Sequence, residues 1–218
     1  MREQVIERIE KEKLIAIVRG VSADQCSKVA NALYAGGVRL MEITYNQKDP
    51  ASWQQTAEAI GALTEEFGDK MYFGAGTVTN VELVELTHAH GGKYIISPDT
   101  NVDVIKRTVE LGMVSLPGAM TPTEVMTAHA AGADFVKLFP AGDLGVSYLK
   151  AIRAPISHVK LMAVGDVSES NAASFLKAGA AGLGIGGNLV KKAWIDVGEF
   201  DKLTEAAKTI VEIIKNAQ

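Results

Sequence analysis

Three charged side chains stand in apolar runs: Arg19 in LIAIVRG, Glu42 in LMEIT and Lys137 in DFVKLFPAG. The neighbours of Lys137 are Phe135, Val136, Leu138 and Phe139, the composition of a dry strand. An ammonium group taken out of water without a partner costs enough that its pKa shifts, so a lysine seated there needs a counter-charge or a reaction. A desolvated lysine beside a second cation holds its proton weakly, and the free amine attacks carbonyls to give a Schiff base. Glu42 then suits the transfer of protons to and from the carbinolamine and a substrate hydroxyl. Arg19 suits an anionic group such as a carboxylate, which a guanidinium grips with two hydrogen bonds. For any one of these residues a structural salt-bridge cluster explains the charge equally well, because ion networks also perturb pKa values.

What sets the three apart is where the chain must place them. Helix-like stretches end in glycine and a short apolar run follows, as in YAGGVRLMEIT, HAHGGKYIISP, AAGADFVKLFP and KAGAAGLGIGG. Glycine just past a helix is the left-handed cap, and an apolar run with few alternating polar residues reads as a strand covered on both faces. With LIAIVRG at the front and VKLMAVGDV around Val164, the sequence yields eight candidate strands. Amphipathic segments such as ADQCSKVANALYAGG, NVELVELTHAHGG and SESNAASFLKAGA lie between them. Eight alternations of strand and helix predict an α/β chain folded as one (β/α)8 TIM barrel over residues 1–218. The leading MREQVIERIEKEK becomes an extra N-terminal helix that closes the barrel's N-terminal end. An open doubly wound sheet is the rival, but VRGVSADQC lacks the glycine fingerprint expected after its first strand.

Such barrels work at the C-terminal ends of their strands. In chain order those ends carry Arg19, Glu42 and Thr44, Thr77, Ser97 and Pro98, Pro117, Lys137, Gly165 and Asp166, and Gly186 to Asn188. The ionisable ones converge on one mouth.

Composition removes several classes of function. At 218 residues and 47% hydrophobic, the chain is long enough for one substantial core. A net charge of -4 offers no basic footprint for nucleic acid or an anionic membrane surface. No apolar stretch is long enough to cross a bilayer, the N-terminus has charges where a signal peptide is apolar, and one cysteine, Cys26, forms no internal disulfide. The expectation is a soluble cytoplasmic protein with neither nucleic acid nor membrane as a partner. GAGTVTN and GIGGNLVKK lack the ordered residues of nucleotide-binding loops, so no cofactor is expected. His88 and His90 in THAHGG suit a helix C-terminus better than a metal. His129 and His158 read as isolated surface or packing residues, Trp53 and Trp194 as packing residues, and proline after Phe139 as a strand stop that shapes the mouth.

Taken together, IVRG, MEIT, FGAGTV, IISPD, LPGAMTPTE, VKLFPAG and GIGGNLV resemble, from about Leu14 to Val190, a family of class I aldolases. That family cleaves 2-keto-3-deoxy-6-phosphogluconate (KDPG) and 4-hydroxy-2-oxoglutarate (KHG). The resemblance implies Lys137 as the Schiff-base lysine and Glu42 as the general acid/base, with pyruvate as one product. It implies Thr77 lining the pyruvate pocket, Phe139 flanking it, a homotrimer of (β/α)8 barrels and no metal. The other substrate-binding candidates are Arg19, Thr44, Pro98, Gly165, Gly186, Gly187 and Asn188.

Three departures bear on the substrate. Asn46 stands in ITYNQ where some members have a carboxylate-gripping arginine, and the galactonate-derived aldolases, which act on the C4 epimer, resemble this stretch too. Asp166 in VGDV and Asn188 in GGNLV replace a glycine and a serine of loops that hold phosphate in the family. A carboxylate near a phosphate is repulsive; alternatively Asp166 is a solvent-facing N-cap of the next helix, a role Ser168 could equally fill. Unphosphorylated 4-hydroxy-2-oxoglutarate, a non-covalent phosphosugar isomerase or epimerase, and an inactive anion-binding barrel stay open as readings of the same residues.

Overall fold

A computed structural model gives the structure, described here for residues 1–217. The strands are β1 (Leu14–Val18), β2 (Leu40–Thr44), β3 (Tyr72–Gly76), β4 (Tyr94–Ile96), β5 (Val114–Leu116), β6 (Gly118–Ala119), β7 (Val136–Leu138), β8 (Leu161–Val164) and β9 (Gly182–Ile185). They pair in parallel in the order β5-β4-β3-β2-β1-β9-β8-β7-β6. The two ends of that order, β5 and β6, are halves of one expected strand, divided at Pro117, which has no N–H to give a ladder. Pro117 still accepts from the Lys137 amide at 2.8 Å, so the ring closes through its carbonyl. The (β/α)8 barrel is therefore present, with nine strand segments in place of eight.

Alternation along each strand sorts the side chains into two cores. Val136 and Leu138 face the surrounding helices, while Phe135 turns into the barrel with Ile15, Leu40, Tyr72, Tyr94 and Val114. Lys137 is therefore not on the Val136 side of its strand. Two residues from Phe135, it points inward at the opposite end of the barrel.

The helix Arg2–Glu12 carries Val5 and Ile9, both fully buried in the interior cluster, and so plugs the N-terminal end as expected. Burying two such side chains stabilises the plug by roughly 1.5–3 kcal/mol each. The helix stops yield left-handed glycines such as Gly112 (φ 73) and Gly132 (φ 101). Part of the LPGAMTPTE run is structural: Thr121 and Glu124 form a capping box on Pro122–Ala130.

Two expectations need correction. Neither Asp166 nor Ser168 caps the helix Ala172–Lys177, whose N-cap residue is Asn171; the Asn171 side chain instead accepts from the Ser168 amide at 2.9 Å. His129 and His158 are not isolated, since their rings pack edge to face at 5.1 Å. His90 Nδ1 lies 2.9 Å from the Leu86 carbonyl, a contact at a helix end. Among the described residues no group of three or more His, Cys, Asp or Glu is placed to hold a metal, and no helix is long and apolar enough to cross a membrane.

Candidate active site

At the C-terminal mouth a cavity of about 330 Å³ opens over the interior core. β1 lends it Ile17, with Arg19 just beyond its end, β2 Glu42, and β7 Lys137, with Phe139 just beyond its end. The ends of β8 and β9 complete the wall with Val164 to Val167 and Gly186 to Asn188. Of the sequence candidates, Lys137, Glu42, Arg19, Phe139, Gly165, Gly186, Gly187 and Asn188 thus share one cavity. Thr44, Thr77 and Pro98 do not line it.

Lys137 is 8% exposed and Glu42 1%. Burial lowers the Lys137 pKa from the usual lysine range; nearby Glu42 opposes this and Arg19 reinforces it. Burial pushes the Glu42 carboxyl up to about 7, against the pull of Lys137 and Arg19. Glu42 Oε2 is buried and has no hydrogen-bond partner among the described residues. A buried acceptor left without a donor is costly and uncommon, and here it borders a cavity that a donor can enter. Lys137 Nζ lies 5.0 Å from the centre of the Phe139 ring, a geometry that favours the charged form through the ring quadrupole.

Glu42 has its place because β3 has glycines. Gly74 pairs with Glu42 and Gly76 with Thr44. A Cβ on Gly76 would meet Glu42 Oε1, and one on Gly74 would meet the Tyr94 ring. The glycines of GAGTV therefore make room for side chains as well as shaping a turn. Tyr94 packs fully buried, donating to the Tyr72 carbonyl at 3.4 Å, and the Glu42 charge adds to the burial that raises its pKa.

Arg19 departs from expectation, since it is exposed rather than buried. It follows the last residue of β1 and reaches along the rim, where Nη2 donates to Thr77 Oγ1 at 3.2 Å. Thr77 has left-handed backbone (φ 59), and its carbonyl accepts from Gln47 Nε2 at 2.8 Å. Thr77 thus touches the site through Arg19. Thr44 and Asn46 line a separate cavity of about 180 Å³, and the Asn46 side chain accepts from the Lys48 amide at 3.1 Å. Pro98 is exposed, and its carbonyl sits against Gly118.

Sequence reasoning missed Ile17, Val164 and Val167 in the wall, and Gln47 behind Thr77. Ile17 was within reach, being two residues from Arg19 on the same strand face. Gln47 had no local signal. The two departures at the far rim prove to be partners: Asn188 Nδ2 donates to Asp166 Oδ1 at 3.2 Å and to the Val167 carbonyl at 3.0 Å.

Known proteins resemble this chain in both sequence and fold. The family profile described as KDPG and KHG aldolase matches residues 5–206. A 2-dehydro-3-deoxy-6-phosphogalactonate aldolase of Escherichia coli (strain K12) is 37% identical over 83% of this chain and 86% of its own length. A protein of Rhizobium meliloti (strain 1021), named as a probable enzyme of the same kind, is 38% identical over 82% of each chain. A solved structure described as native KDPGal superposes with a TM-score of 0.85 at 34% identity, covering 94% of this chain and 95% of that one. A profile spanning nearly the whole chain and relatives of this identity leave one assignment: the protein is an aldolase, a carbon–carbon lyase, of the KDPG and KHG family.

Proposed function

We propose that the protein is a class I aldolase that cleaves a 4-hydroxy-2-oxo sugar acid to pyruvate and an aldehyde through a Schiff base on Lys137. One observation carries this reading: a buried lysine with a lowered pKa and a buried carboxylate with an unpartnered oxygen border the same cavity. Neither is stable there for its own sake, and together they match an amine nucleophile and a proton carrier.

The neutral Lys137 amine attacks C2, and loss of water gives the iminium. The C3–C4 bond then breaks, its electrons flow into the iminium, and Glu42 takes the C4 hydroxyl proton as the aldehyde leaves. The resulting enamine is protonated at C3, and water hydrolyses the iminium to release pyruvate and the amine. A pKa near 7 lets Glu42 accept and return a proton at neutral pH. Arg19 faces the substrate carboxylate, Thr77 holds the guanidinium, and Phe139 flanks the pyruvate half.

The sequence alone put KDPG and KHG ahead of the galactonate-derived C4 epimer of KDPG. The names of the two relatives now favour the galactonate-derived acid, and Asn46 in ITYNQ supports the same choice. By analogy with the family we propose a homotrimer, for which sedimentation velocity is the measurement.

Incubation with pyruvate and borohydride, followed by peptide mass analysis, tests the mechanism. The expected result is one reduced pyruvate on Lys137; an unmodified Lys137 would leave the reading untenable. Parallel turnover of the two epimeric acids tests the substrate.

A further inference from the structure

The rim of the cavity formed by β8 and β9 carries a carboxylate, which repels a phosphate. It presents Gly165, Asp166, Gly186, Gly187 and Asn188, with no Lys or Arg among the described residues. Among the described residues, the cations that line the cavity are Arg19 and Lys137. On the proposed mechanism one faces the carboxylate and the other becomes the iminium. The end of the substrate beyond C4 then lies along a rim whose only charge is a carboxylate.

Asp166 is held there. Asn188 Nδ2 bonds its carboxylate at 3.2 Å, Asn171 Nδ2 bonds its carbonyl at 3.0 Å, and its Cβ lies where a side chain on Gly142 would have to go. Its backbone has φ 49, a conformation that suits glycine and that aspartate is among the few side chains to tolerate. An aspartate kept at a position suited to glycine points to a use for the carboxylate.

The hydrogen-bonding capacity defines that use. Both Asn188 Nδ2 protons are accounted for, by Asp166 and by the Val167 carbonyl. What the pair offers a ligand is acceptors: the Asn188 amide oxygen and the remaining lone pairs of the carboxylate. Acceptors bind hydroxyl groups and repel an anion. We propose, on the basis of the Schiff-base reading above, that Asp166 and Asn188 select an unphosphorylated 2-oxo sugar acid by accepting hydrogen bonds from its C5 and C6 hydroxyls. This chain would differ in that respect from the relatives whose names carry a 6-phosphate.

The test compares kcat/KM for 2-dehydro-3-deoxygalactonate and its 6-phosphate in the wild-type protein and in Asp166→Asn. The wild type is expected to favour the unphosphorylated acid, and Asp166→Asn to shift the ratio at least fivefold toward the phosphate. Equal or better turnover of the phosphate by the wild type, or a shift below fivefold, overturns the proposal. Asp166→Gly, which suits φ 49, replaces the asparagine variant if that fails to fold. Borohydride trapping of pyruvate on the same samples separates the two claims: loss of the adduct strikes at the Schiff base, whereas a normal adduct with the wrong ratio strikes only at the rim.

Discussion

The two ends of one barrel interior are built on opposite rules. At the N-terminal end Val5 and Ile9 lie in one hydrophobic cluster with Ile15, Leu40 and Phe135. At the C-terminal end, one or two strand positions further along the same inward faces, Glu42 and Lys137 stand with an unpartnered carboxylate oxygen. The first arrangement is what a chain does to remain folded; the second costs stability, and the proposed reaction gives that cost a use. Because the strands are continuous, the apolar end can carry the cost of the charged one.

Substitutions should separate these roles cleanly. Lys137→Met is expected to remove the pyruvate adduct and lower kcat by roughly four orders of magnitude or more. Its melting temperature should change little at pH 6, where Glu42 is mostly protonated, and should fall as the pH rises and the carboxylate is left without its counter-charge. Glu42→Gln should keep adduct formation measurable while lowering kcat about 10²–10⁴-fold, read by steady-state turnover beside trapping. Ile9→Ala, at the other end, should cost about 2–5 kcal/mol in denaturant unfolding and leave kcat of the folded protein unchanged. A kcat loss there would erase the distinction between the ends.

The pH profile sharpens the contrast further. With its carboxyl raised to about 7, Glu42 is mostly protonated at pH 6 and must ionise to accept the C4 proton. Lys137, with its pKa lowered, also gains reactive amine as pH rises. Both effects have the same sign, so kcat/KM should climb at least about tenfold per unit below pH 7, and Glu42→Gln should remove the Glu42 share of that rise. The smallest effect expected is at the rim: Arg19→Lys should raise KM about tenfold through loss of the two-pronged grip, with little change in kcat.

The sequence revealed the charged end more fully than the geometry that supports it. Lys137 and Glu42 were legible because a lone charge in an apolar run is a local anomaly, and the barrel because its helix-stop glycines repeat. What makes room for Glu42 was not legible, because it depends on β2 and β3 meeting in a register that sets Glu42 beside Gly74 and Thr44 beside Gly76. The Asp166–Asn188 pair was hidden for the same reason, since its members lie on the ends of different strands. Arg19 shows the reverse error: its apolar neighbours suggested burial, yet it follows the final residue of its strand and reaches solvent.

The two β3 glycines also bear on how this scaffold can be altered. With a Cβ at position 76 set to strike the carboxylate and one at 74 set to strike Tyr94, strand β3 acts as a mould whose negative space sets where Glu42 and Tyr94 lie. Saturation mutagenesis aimed at new substrates should leave both positions untouched and spend its diversity on the β8 and β9 rim, where Gly187 has open space beside it.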